Sequence, residues 1–184
     1  MFARSVSKRS FLHRVQRAAA MAMVTLAGST AALASSDWSS VASTGAADEA
    51  CAGKISLSGQ EASLLSSDSA ISSCTLRYQV VDTWSGNGIV YGVGLRARFL
   101  DNGLSSKVTA VLKAYNTSTG TITTVQTLNS DYYPASSTYQ NSGTPPCLNL
   151  DFQTNSYWVE VVVSRTAATG APRIAALRIE GCLI

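Results

Sequence analysis

The sequence predicts an all-β protein: a single antiparallel β-sandwich, jelly-roll or Ig-like in outline, with about seven or eight strands. It also predicts that the domain is stapled by disulfides and follows a cleaved signal peptide. Three observations carry this. Segment after segment alternates apolar and polar residues at period two, and no stretch sustains a helical period. β-Branched and aromatic residues fill those segments, while Gly, Ser, Asn and Pro cluster between them. Four cysteines follow an export-type leader.

The leader comes first in the chain. Met1 to Arg17 carries Arg4, Lys8, Arg9, Arg14 and Arg17 and no acid, and residues 18–33 are apolar or small. Ala32-Leu33-Ala34 then offers the small residues a signal peptidase reads, so 1–34 reads as a secretory signal peptide cut after Ala34. Its apolar run falls short of the ~20 residues needed to span a bilayer. Ser7-Lys8-Arg9-Ser10-Phe11-Leu12 resembles the twin-arginine export motif, with Lys8 where the first arginine stands; the same residues also read as an ordinary basic leader. The expected location is secreted or periplasmic, without membrane attachment once the signal is removed.

Removing the leader changes the charge. Five of the fourteen basic residues lie in it, leaving nine against eleven acidic ones. The basic balance belongs to the leader and does not point to a nucleic-acid partner.

Residues 35–50 are small and polar apart from Trp38 and Val41 and read as a flexible lead-in, placing the sandwich domain at 51–184. Residues 51–57 read as a short first strand. Ser58-Gly59-Gln60-Glu61 has the form of a capping box, and with Ala62, Leu64 and Leu65 it predicts a helical turn. Cys74, Leu76, Tyr78 and Val80 share one face of the next strand. Residues 83–88, with Trp84 and Ser85-Gly86-Asn87-Gly88, read as a turn. Ile89 to Leu100 alternates again, with Ile89, Tyr91, Val93, Leu95, Ala97 and Phe99 inward.

Asp101-Asn102-Gly103 reads as a hairpin turn. The returning strand places Val108, Ala110, Leu112 and Ala114 inward. Thr121 to Leu128 reads as an edge strand with Ile122, Thr124, Gln126 and Leu128 inward. Residues 130–146 form a long loop, of the length that is functional or unstructured. Leu148, Leu150 and Phe152 belong to another strand.

Thr154 to Arg165 is the strongest strand signal. Tyr157, Val159, Val161 and Val163 alternate with Trp158, Glu160, Val162 and Ser164, so both faces carry apolar groups and the strand belongs mid-sheet. Its Trp158 face needs a cover, for which Ser58 to Leu65 is the candidate. Arg173 to Cys182 closes the domain, with Ala175, Leu177 and Ile179 on one face.

Cys51, Cys74, Cys147 and Cys182 read as disulfides in an exported chain. The sequence-nearest pairings, Cys51–Cys74 and Cys147–Cys182, are favoured. A metal site is disfavoured, because there is no CxxC spacing and the only histidine, His13, lies in the leader. No cofactor is expected. Without histidine, triad chemistry and imidazole acid–base work are excluded for the mature chain. A carboxylate pair drawn from Asp131, Asp151 and Glu160 is what remains for a hydrolase.

The functional expectation is a non-catalytic binding module for a glycan, an envelope component or another extracellular protein. Tyr132, Tyr133 and Tyr139, with Trp84 and Trp158, are its candidate ligand surface, because flat rings stack on sugars and proteins while their polar tips hydrogen-bond. The same rings can instead pin the loop to the domain. Arg77, Arg96 and Arg98 form a candidate basic patch, against which stands simple cross-strand pairing with Glu160 or Glu180. A structural role in an envelope or extracellular assembly is the alternative, and the carboxylate hydrolase a second one.

Overall fold

The computed structural model describes residues 37–66, 71–84, 88–143 and 145–182. The signal-peptide reading of 1–34, with His13, and Ser85-Gly86-Asn87 of the predicted turn lie outside them. In chain order the strands are β1 (Trp38–Val41), β2 (Ala46–Ala47), β3 (Ile55–Ser58), β4 (Glu61–Leu64), β5 (Ser72–Val80) and β6 (Ile89–Leu100). They continue with β7 (Ser106–Asn116), β8 (Ile122–Asn129), β9 (Gln140–Asn141), β10 (Leu148–Asp151), β11 (Asn155–Arg165) and β12 (Arg173–Gly181). The protein is all-β, with two antiparallel sheets around a shared core.

One sheet runs β10-β6-β12-β4-β3, with β1 also on β12 and β9 also on β6; the other runs β2-β5-β11-β7-β8. The strand count exceeds the expected seven or eight because β1, β2, β4 and β9, each of four residues or fewer, carry too little alternation to be seen in sequence.

β11 lies between β5 and β7, paired along its length with both. Its Val159, Val161 and Val163 are fully buried, as are Leu76 of β5 and Val108 and Leu112 of β7. The seven-stranded sheet answers with Leu95 and Phe99 of β6, Leu150 of β10, and Leu177 and Ile179 of β12. Each such side chain contributes about 1.5–3 kcal/mol on burial. A surface ion pair contributes only about 0–1 kcal/mol. The inward alternation therefore decides the fold, and the outward charges are left free for other work.

The inward pattern of β6 breaks where sequence reading carried it through. Val93, Leu95, Ala97 and Phe99 are inward, but Val90 is buried in place of Ile89, and Tyr91 is 71 % exposed. The cause is Gly92, whose φ of 63° only glycine adopts without strain and which reverses the side-chain phase. The β10–β6 register also shifts between Leu148 and Leu150. In β8, Gln126 and Leu128 are buried but Ile122 and Thr124 are exposed, because the β7–β8 register shifts at Leu112/Lys113. β8 does lie at the sheet edge.

Three local readings are corrected. Ser58 to Leu65 is not a helical turn. Ser58 pairs with Glu61 in a β3–β4 hairpin turned by Gly59 (φ 59°) and Gln60, and Gly59 suits the turn where it would weaken a helix. Because that hairpin belongs to the seven-stranded sheet, it does not cover the Trp158 face of the other. Asp101-Asn102-Gly103 turns the chain but does not make a hairpin, since β6 and β7 belong to different sheets. Buried Asp101 accepts from Gly103 N–H and from the Ser130 hydroxyl, which fixes this passage between sheets.

The lead-in, expected to be flexible, is part of both sheets. β1 pairs with β12 and β2 with β5. Trp38 is 5 % exposed and Ala42 fully buried. The Tyr78 hydroxyl donates to Ala42 O at 2.7 Å, fastening this crossing segment to β5. The gain from burying Trp38 outweighs a composition that otherwise favours disorder.

Cys51 and Cys74 form a disulfide with Cα atoms 5.2 Å apart. Cys147 and Cys182, the other favoured pair, are unbridged thiols. A disulfide belongs to oxidising surroundings. Among the described residues no helix is long and apolar enough to cross a membrane.

Candidate functional site

The rings proposed as one ligand platform do not come together. Trp84 is buried, 6.0 Å from Phe152 between ring centroids. Phe152 donates its backbone N–H to Gly88 O, which places this cluster at the start of β6. Tyr133 packs edge-on against Phe99 at 5.3 Å, at the other end of β6, and its hydroxyl accepts from Gly143 N–H. Ten residues of strand separate Ile89 from Phe99, roughly 33 Å at the usual rise. Tyr133 and Trp84 thus anchor opposite ends of the domain. Of the loop tyrosines only Tyr132 stands free, at 83 % exposure.

Trp158 lies half-buried on the outer face of β11, between Gln79 of β5 and Lys113 of β7 in register. Glu160, two residues on, accepts from Lys113 Nζ at 2.7 Å and faces Arg77 Nε at 3.4 Å. Arg77 also pairs with Asp48. The long polar side chains around this face limit the exposure of the Val162 row. The expected cross-strand pairing of Arg77 with Glu160 is present.

The other candidate carboxylates are also held separately. Asp131 pairs with Lys107 Nζ at 2.6 Å, at the start of β7. Asp151 caps the turn into β11. It takes the Thr154 hydroxyl at 2.7 Å and the Gln153 N–H at 2.9 Å, and the Thr154 bond first among its contacts lowers its pKa. Glu160 pairs in register with Val111, midway along β7. Asp151 ends β10 in the seven-stranded sheet, while Glu160 lies on β11 in the other and Asp131 just beyond β8, so the three acids do not flank a common cleft.

A different group does converge, on the outer face of the seven-stranded sheet. Arg96 and Arg98 project from β6 and Arg178 from β12, where Arg178 is directly opposite Arg96 and Ala176 opposite Arg98. Asn141 of β9 stands opposite Arg98 on its other side. Together with Glu180 they line a cleft of about 280 Å³. It is open because Ala176 is too small to fill the space between the guanidinium groups.

Like charges directly opposite each other are unfavourable. Glu180 relieves the Arg96–Arg178 pair: it binds Arg96 and stands 3.3 Å from Arg178, which also pairs with Asp37 at 2.6 Å. Arg98 is different. Among the described residues it has no acidic partner. Its guanidinium carbon lies 5.7 Å from the Tyr139 ring centroid, a cation–π contact, and its weak bond to Asn141 is 3.5 Å long. The Tyr139 hydroxyl donates to Glu61, which also takes Arg173 at 3.2 Å. Burial first and then Glu61 push the Tyr139 pKa up to about 12, so it stays a neutral donor at ordinary pH.

Sequence reading found Arg96 and Arg98 by their shared strand face. It missed Arg178, whose approach depends on β6–β12 pairing, and the cleft, which depends on Ala176. Among the described residues no three His, Cys, Asp or Glu side chains are grouped to hold a metal ion. The chain matches no protein-family model, and no curated protein sequence matches it significantly.

Proposed function

We propose that this is an exported, non-catalytic binding module that holds an acidic glycan of the envelope or extracellular matrix in the Arg96–Arg98–Arg178 cleft. The observation that carries the reading is Arg98: a guanidinium without a carboxylate partner, held by an aromatic ring at the rim of an open cleft. Guanidinium groups match carboxylates in a two-point geometry. Glu180 bridges the neighbouring pair, one oxygen to each guanidinium, and marks the kind of group a bound uronate would offer. Tyr139 and Asn141 supply a ring edge and an amide for sugar hydroxyls.

We infer further that the two sheets form a jelly-roll sandwich. The orders β4-β12-β6-β10 and β5-β11-β7-β8, with the chain passing between sheets at most steps, support two interleaved Greek keys. That architecture hosts many functions, so the cleft and not the fold carries the functional argument. The carboxylate hydrolase reading gains nothing from acids that lie apart.

A glycan array with uronate-bearing and neutral sugars, read at two salt concentrations, tests this. Retention is expected on the uronate sugars, weakened by salt. Arg98→Ala should weaken it roughly tenfold, since a hydrogen bond to a charged group contributes about 1.5–3 kcal/mol. Retention of neutral sugars alone, or an Arg98→Ala protein that binds undiminished, would reject the assignment.

One observation favours the assembly role as a second reading. β8 ends its sheet without a strand beyond it, and residues 117–129 carry no charge or proline, so its edge resembles a pairing template. Sedimentation showing only monomer at high concentration would count against it.

A further inference from the structure

Cys147 and Cys182 are 35 positions apart in sequence, yet strand pairing brings them to one place. Leu148, just after Cys147, and Gly181, just before Cys182, pair with the same residue, Val93 of β6, from opposite sides. Cys182 N–H donates to Gly92 O at 2.7 Å. The Cys182 thiol feels both Cys147 across β6 and the charge of Arg96. The strand between them offers only Gly92 and Gly94 on either side of buried Val93, so β6 itself puts no side chain between them. A β-carbon at Gly94 would overlap Pro145 and stand 3.1 Å from Pro146 O, so the segment leading to Cys147 already lies directly on that glycine.

Each cysteine is also the residue next to a strand end: Cys147 precedes β10 and Cys182 follows β12. Neither is held by ladder bonds on both sides, so these ends can move together across the roughly 9–10 Å that separates the strands flanking β6, as a disulfide requires. The other two cysteines are already bonded to each other.

We propose that Cys147 and Cys182 are a solvent-accessible dithiol–disulfide site, which closes to a second bridge that clips the 145–147 segment and the end of β12 together across β6. Closure proceeds by exchange with a disulfide oxidant such as oxidised glutathione. The thiolate of exposed Cys147 attacks one oxidant sulfur, forming a mixed disulfide and releasing one oxidant thiol. Cys182, having lost its proton to solvent, then attacks the Cys147 sulfur and releases the second. Two protein thiols become one disulfide, and one oxidant disulfide becomes two thiols. Exposure sets the order: Cys147 is exposed and Cys182 half-buried, and burial first and then Cys147 push the Cys182 thiol up. Cys51 and Cys74 are each only 2 % exposed, so the second bridge is the one that a soluble thiol reopens first.

The test is alkylation and tryptic mapping of the full-length chain. Trypsin places Cys147 in peptide 114–165 and Cys182 in peptide 179–184. After treatment with oxidised glutathione the two peptides should run as one linked species with no alkylated cysteine. Rising dithiothreitol under native conditions should free this pair before Cys51–Cys74. The double variant Cys147→Ser/Cys182→Ser should keep its circular dichroism spectrum and its Cys51–Cys74 bridge, which separates loss of the site from loss of the fold. Persistent alkylation of both thiols after the oxidant would overturn the proposal. So would a lasting glutathione adduct, a link to Cys51 or Cys74, or earlier opening of the first bridge.

Discussion

Gln126 shows how much one polar side chain can carry in this core. It belongs to β8, in one sheet, and reaches β6 in the other. Its Oε1 accepts from Leu95 N–H at 2.8 Å and its Nε2 donates to Leu95 O at 3.2 Å. β10 pairs with β6 only as far as Val93, and β9 only at Arg98 and Phe99. Between them β6 would have unpaired backbone groups inside the protein. Gln126 supplies the missing partners at Leu95, and Ser142 does so at Ala97, where its hydroxyl accepts from the N–H at 3.1 Å and its own N–H donates to the carbonyl at 2.9 Å. A buried group left unsatisfied costs about 1–3 kcal/mol. Gln126→Met keeps the volume and removes both bonds. Its unfolding free energy in urea should fall by a few kcal/mol, and a drop below about half a kcal/mol would mean the amide is dispensable. Period-two reading placed Gln126 inward but had no means of saying why a glutamine belonged there.

At the scale of the element, β6 concentrates most of what is unusual. Its glycines serve different needs: Gly92 adopts a positive φ, and Gly94 lets Pro145 and Pro146 lie on the strand. Gly94→Val should displace the 145–147 segment, or strain it, and lower stability by about 1–3 kcal/mol, as overpacking does. Thermal unfolding measures this, and an unchanged Tm would show that the segment yields without cost. β11 stands at the other extreme. Its mid-sheet position and its inward face follow from sequence, because a long uninterrupted alternation with apolar groups on both faces admits one phase. β6 has the same length of signal but two glycines, and those glycines are where the prediction of its face failed.

Across the whole molecule, the N-terminal segment joins what the sheets alone would leave separate. β1 extends the seven-stranded sheet, β2 extends the other, and Cys51–Cys74 follows at once. Trp38 is the anchor. Trp38→Ala should cost about 3–5 kcal/mol by the usual measure of a buried aromatic. A flexible lead-in would give almost none, so chemical denaturation separates the two descriptions. By itself the sequence determined the all-β class, the antiparallel pattern, the inward faces of β5, β7 and β11 and the edge position of β8, and it favoured the pairing of Cys51 with Cys74. Each of these rests on local periodicity or on near neighbours in the chain. Tertiary structure alone decided that Trp38 is core, that Tyr133 is an anchor while Tyr132 stands free, that three arginines share a cleft, and that the segments carrying Cys147 and Cys182 flank the same glycine-lined strand. Those depend on which strand lies beside which. That choice is made by the burial of both sheets at once, and no single segment encodes it.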